Sequence, residues 1–169
     1  AKIGTGVDGQ IGITAGAVNI LDANRLITTA AGTIETVTIK NAAGVTVDSG
    51  ALKTLNLEGT ITSVTATSTG SKATVDTLAL NLSGVDMSGV AAIDTDVKTL
   101  NVNSSKTAST IGTTTTSATT INVSGDAALT LSTLTLGAAA GNEVITVTNT
   151  AGVTITTGLA NDVTFTGGT

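Results

Sequence analysis

Asp94 and Asp96, on either side of Thr95, are the closest pair among the chain's twelve carboxylates. Two carboxylates at that spacing could share a Ca2+ ion with loop carbonyls. A carboxylate pair is also the minimum equipment of a glycoside hydrolase. The plainer reading is a solvated corner ahead of Lys98 and Thr99, and whether the pair holds Ca2+ stays open at this level. Nucleophilic catalysis is harder to build. The chain has no His and no Cys, and its Ser residues lie mostly in polar turns, so neither a Ser-His-Asp nor a Cys-His arrangement can be assembled. Thiol metal sites and disulfides are excluded for the same reason. We therefore assign no catalytic, cofactor-binding or metal-ligating residue and expect a protein that is not an enzyme.

The elements that would have to position any such residue are strands. A phrase of apolar, polar and apolar residues recurs seven times, usually behind a Thr. It reads Thr36-Val37-Thr38-Ile39, Thr54-Leu55-Asn56-Leu57, Thr77-Leu78-Ala79-Leu80, Thr99-Leu100-Asn101-Val102 and Thr120-Ile121-Asn122-Val123. The last two, Val144-Ile145-Thr146-Val147 and Asp162-Val163-Thr164-Phe165, are looser. Measured on Val37, Leu55, Leu78, Leu100, Ile121, Ile145 and Val163, the steps are 18, 23, 22, 21, 24 and 18 residues. Strand-type alternation at a period near 21 predicts an all-β fold, a right-handed parallel β-helix (β-solenoid) of roughly seven to eight rungs. Gly, Asn and Asp between the phrases mark corners where positive φ costs little.

The alternation places Val37, Ile39, Leu55, Leu57, Leu78, Leu80, Leu100, Val102, Ile121, Val123, Ile145, Val147, Val163 and Phe165 inward. Outward go Thr38, Asn56, Ala79, Asn101, Asn122, Thr146 and Thr164, a ladder in which identical neighbours can hydrogen-bond. A flat Thr-x-Thr array would suit ice, but here Thr-x-Thr gives way to Thr-x-Asn and Thr-x-Ala on uneven steps. Thr is also simply a β-branched polar residue that suits an exposed sheet. A carbohydrate-active β-helix would want Arg or Lys beside its carboxylates. The single Arg is Arg25, and Lys53 and Lys98 each stand one before a ladder Thr, where they keep the sheet soluble.

Composition agrees. Charged residues make up 11 % of the chain, aromatics are reduced to Phe165, and Thr alone exceeds a fifth of all residues. Small and medium aliphatics fill a narrow interior that Trp or Tyr would overfill. The formal charge of −5 leaves no basic patch for nucleic acid, and no apolar run approaches the length of a membrane span. The first 32 residues fit the period poorly. There Gln10 to Thr14 reads as a strand, and Val18 to Leu26 as a short helix or an irregular crossover. We read residues 1–32 as an irregular N-terminal rung or cap and residues 33–169 as the solenoid. Together they make one domain, a piece of a larger protein. The Thr/Ser-rich run from Ser104 to Thr120 is the best candidate for a protruding or mobile loop.

Several phrases carry a family resemblance. Gly32-Thr-Ile-Glu-Thr-Val-Thr-Ile39 and Ala118-Thr-Thr-Ile-Asn-Val-Ser-Gly-Asp-Ala127 resemble segments of RTX-type, type I-secreted bacterial surface-layer (S-layer) proteins of the Caulobacter type. Ile145-Thr-Val-Thr-Asn-Thr150, Gly152-Val153, Thr157-Gly158-Leu159 and Val163-Thr-Phe-Thr-Gly-Gly168 follow in a similar order. The resemblance implies a β-helical segment next to glycine-rich repeats that bind Ca2+ in the parent protein, with no metal ligand carried onto this chain. It also implies secretion to the bacterial cell surface, self-association into a lattice and attachment to surface polysaccharide. The expected function is a non-enzymatic structural module of an extracellular S-layer. The alternative is an adhesin or a glycan- or ice-binding solenoid, and a third is a carbohydrate-active β-helix.

Overall fold

A computed structural model shows a β-solenoid, with no helix among the described residues, making about five turns of roughly 22 residues each. It describes residues 2–4, 15–68, 75–93, 97–136, 143–157 and 163–167. Thirteen strands follow in order: β1 (Lys2–Gly4), β2 (Ala15–Leu21), β3 (Thr36–Asp48), β4 (Thr54–Ile61), β5 (Val64–Thr67), β6 (Thr77–Ile93) and β7 (Thr99–Ser104). Then come β8 (Ser109–Thr116), β9 (Thr120–Gly125), β10 (Leu129–Leu136), β11 (Val144–Val147), β12 (Val153–Thr157) and β13 (Thr164–Thr166). Every pairing is parallel and joins one coil to the next. The main face stacks β1-β3-β4-β6-β7-β9-β11-β13. The seven to eight rungs expected from the sequence counted strands on this face, not the full turns of the coil, of which there are about five. The long strands β3 and β6 bend round a corner and serve two sides of the coil, so all thirteen strands form one continuous sheet.

Of the fourteen residues expected inward, the first twelve, Val37 through Val147, are buried. Val163 is half-buried against the same core, and the Phe165 side chain lies outside the described residues. The register differs from the sequence alignment at two joints. Leu55 stacks on Leu80 rather than Leu78, and Ile145 on Phe165 rather than Val163. Each correction is two residues. A two-residue slip keeps every side chain on its own face, so alternation alone cannot distinguish the registers. At the first joint the cause is visible: β6 turns Leu78, Leu80 and Leu82 all inward. Its pairing with β4 uses Leu80 and Leu82, while its pairing with β7 uses all three.

The run from Ser104 to Thr120 does not protrude. Ser109–Thr116 is β8, paired with β6 on one side and β10 on the other, with Ser109, Ile111, Thr114 and Thr116 buried. Threonine's branched Cβ suits a strand, and on inward positions its methyl fills space as Val would. Val18 to Leu26 is not helical either: β2 pairs with β3, and the chain then leaves the coil in a turn before returning at Ile34. The expected strand Gln10 to Thr14 lies outside the described residues.

Candidate functional site on the asparagine ladder

The middle outward positions do not share the single column read from the sequence but fall into offset columns. Thr164 joins Thr77, Thr99, Thr120 and Val144 in one of them, and two others carry the asparagines. Thr38, Asn56, Asn81, Asn103 and Ser124 stack in one. Thr36, Thr54, Ala79, Asn101, Asn122, Thr146 and Thr166 stack in the other. Amides bridge the coils along both. Asn56 Nδ2 donates to Thr38 Oγ1 at 2.9 Å, and Asn81 Nδ2 to Asn56 Oδ1 at 2.7 Å. Asn103 Nδ2 donates to Ser124 Oγ at 3.2 Å, and Asn122 Nδ2 to Asn101 Oδ1 at 2.8 Å. These side chains are half-buried, flanked on the flat sheet by their own neighbours.

The chain reaches the main face at one corner and leaves it at another, and the two corners handle charge differently. At the leading corner, Lys53 bonds Glu35 at 2.7 Å and Lys98 bonds Asp76 at 2.8 Å, in both cases the acid of the preceding coil. The same acids offer their backbone carbonyls to the amides of Lys53 and Thr54, and of Lys98 and Thr99. At the trailing corner Lys40 bonds Glu58 at 2.6 Å. That hydrogen bond lowers the Glu58 pKa; burial opposes it, and the charges of Lys40 and Lys106 add to the lowering.

The residue that turns the trailing corner has positive φ in four successive coils: Asn41 (50°), Gly59 (74°), Gly84 (60°) and Lys106 (65°). Asn and Gly tolerate that conformation, whereas an ordinary L-residue there costs roughly 1–2 kcal/mol. Lys106 is held in it by neighbours. Its amide donates to Asp126 Oδ1 at 3.2 Å, Ser105 N to Leu82 O at 3.0 Å, and Gly84 N to Thr107 O at 3.1 Å. Beside Lys106 lies an open depression of about 220 Å³ that crosses four coils, lined by Thr38, Asn56, Glu58, Asn81, Ser83 and Ser105.

A second polar cluster lies where the chain leaves the coil after β2. Asp22 is fully buried and accepts hydrogen bonds from the amides of Asn24 (2.9 Å), Thr33 (2.5 Å) and Ile34 (2.9 Å) and from the Ser49 hydroxyl (2.8 Å). Burial by itself would raise its pKa, but the hydrogen bonds outweigh burial and hold the carboxyl far below the usual range. Arg25 Nη1 donates to the Asp22 carbonyl at 3.2 Å, so the single arginine supports the turn. Asp22 ties both ends of the 22–34 excursion to the following coil through Ser49, the structural work of an Asx turn with added partners.

Asp94 and Asp96 lie outside the described residues. Among the described residues no group of three or more His, Cys, Asp and Glu could hold a metal ion, and no helix is long and apolar enough to cross a membrane. Lys53 and Lys98 do sit at one corner of the coil, each engaged by a carboxylate. Sequence reasoning missed Asp22 and Lys106. Asp22 carried a local signal, an Asp two residues before Asn24 in a turn. Lys106 carried one only after alignment: it stands where the other coils use Asn or Gly. No protein-family model and no curated protein matches the chain.

Proposed function

We propose that the chain is a non-enzymatic structural module of an extracellular bacterial surface protein, a segment of an S-layer lattice subunit. The observation that carries this reading is that its resolved polar contacts mostly tie one coil to the next. Backbone ladders, the amide ladder and the corner ion pairs all run along the solenoid axis. Such a stack resists bending, which is what a load-bearing surface layer requires. The phrases that resemble S-layer proteins, Val37 to Ile39 and Ile121 to Val123, both line the main face in different coils, Val37 standing in the column of Val123. Ca2+ would act through neighbouring repeats of the parent protein. The two-residue offset between outward columns breaks the even array that ice binding would need and disfavours that alternative.

The test is assembly of the full-length parent protein viewed by electron microscopy. Ordered two-dimensional sheets in millimolar Ca2+ that dissolve on chelation are expected. A parent that stays monomeric in Ca2+ yet adheres to a polysaccharide would replace this reading with the adhesin.

A further inference from the structure

We infer that the depression beside Lys106 is a binding site for an extended acidic saccharide, with a uronate carboxylate on Lys106 and ring hydroxyls on the amide ladder. The inference stands apart from the assembly reading, because it concerns the isolated coil. Three observations converge on it.

The first is the conformation of Lys106. Three of the four residues in its corner column are Asn or Gly, for which positive φ is cheap, and the fourth is a lysine at φ 65°. A residue in a costly backbone conformation points to a use for its side chain when a cheaper residue would serve the fold. The second is charge. Among the described side chains Lys40, Lys53 and Lys98 each bond a carboxylate, and Lys106 is the lysine with none. Its nearby acids are shared: Glu58 bonds Lys40 and feels the Lys106 charge only through space, and Asp126 accepts from the Lys106 amide. On a chain of net charge −5 this is a local cation open to an anionic group.

The third is the floor of the depression. An amide has two N–H donors and a carbonyl with two lone pairs. The ladder bond between Asn81 and Asn56 uses one donor of the first and one lone pair of the second, leaving capacity for hydroxyl groups. Ser83 and Ser105 add hydroxyls, and Glu58, kept ionised by Lys40, adds an acceptor. These groups recur at the strand spacing of about 4.8 Å, so the depression spans roughly 14 Å along the axis. That spacing is close to the repeat of a pyranose chain, so successive coils can meet successive sugars. With no aromatic platform among the lining residues, affinity rests on hydrogen bonds and one charge contact, and it must weaken with salt.

The test titrates the chain with trigalacturonate and with its fully methyl-esterified form, following the side-chain amide signals of Asn56 and Asn81 by NMR. The acid is expected to shift both signals and to bind roughly fivefold or more tighter than the ester at low salt. Lys106→Gly should fold, since its corner neighbours are Gly and Asn, and should erase the difference between acid and ester. Lys98→Ala removes the same charge elsewhere and should keep it. Equal binding of acid and ester by the native chain overturns the inference without recourse to any variant. So do unshifted Asn56 and Asn81 signals, or acid binding that survives Lys106→Gly. Lys106-dependent self-association without saccharide binding also overturns it, making a second copy the occupant.

Discussion

The buried cluster at Asp22 and the leading corner of the main face both pair a carboxylate with donors from another coil, yet they differ in what water leaves them. Asp22 is sealed from solvent and meets three amides and the hydroxyls of Thr33 and Ser49. Asp76 and Lys98 meet each other at 2.8 Å with 71 % and 72 % of their side chains exposed. Removing the buried acid strands donors that have no water to turn to, whereas removing an exposed partner returns the other to solvent. The energetic weight of a charge here follows from its burial and hydrogen bonds rather than from ion-pair distance.

Asp22→Ala tests the buried side most severely. Orphaning three amides should cost about 3 kcal/mol or more in chemical denaturation, with loss of amide-exchange protection between residues 22 and 34. If Asp22→Ala cost no more than an exposed substitution, the contrast would collapse. Acid probes the same carboxylate. Its folded-state pKa is depressed, so its contribution is complete at neutral pH. As pH falls below about 4, the unfolded chain takes up the proton first and that contribution declines. Unfolding followed from pH 6 to pH 2.5 should show stability falling over the acid end, with a shallower fall in Asp22→Asn.

Thr114 supplies the converse case, a buried hydroxyl with no hydrogen-bond partner, stacked between Ala91 and Leu134. Thr114→Val should therefore raise stability by about 1 kcal/mol, read as a higher denaturation midpoint at unchanged slope. The smallest effect belongs to the exposed pairs. Lys53→Ala and Lys98→Ala should each change stability by less than about 0.5 kcal/mol, and moderate salt should erase the change. A cost well above that would mean the leading corner acts as a network.

Most of the coil was legible from its residues, because burial on one face of a strand writes itself as alternation. Val37, Leu55, Leu100 and Ile121 announce both the rungs and the side that faces the core. The offset ladders were not legible. Leu78, Leu80 and Leu82 satisfy the inward pattern equally well in two registers, so the pairing of Asn81 with Asn56 could not be read from spacing. The Thr-rich run misled for a related reason: Thr at inward positions looks polar in a list of residues but fills the wall of a strand as Val does.

The candidate site was less legible still. Lys106 looks like an ordinary surface lysine until stacking sets it above Gly84, Gly59 and Asn41, and Asp22 looks solvated until Ser49, 27 residues later, closes over it. By itself the sequence determined the solenoid, its period and which residues face inward, since these depend on the local two-residue alternation of a strand. Only the tertiary structure decided the register between coils, the acids that engage Lys53 and Lys98 at one corner and the positive-φ station of Lys106 at the other. Those depend on which coil lies above which, a relation set by the packing of side chains some twenty residues apart.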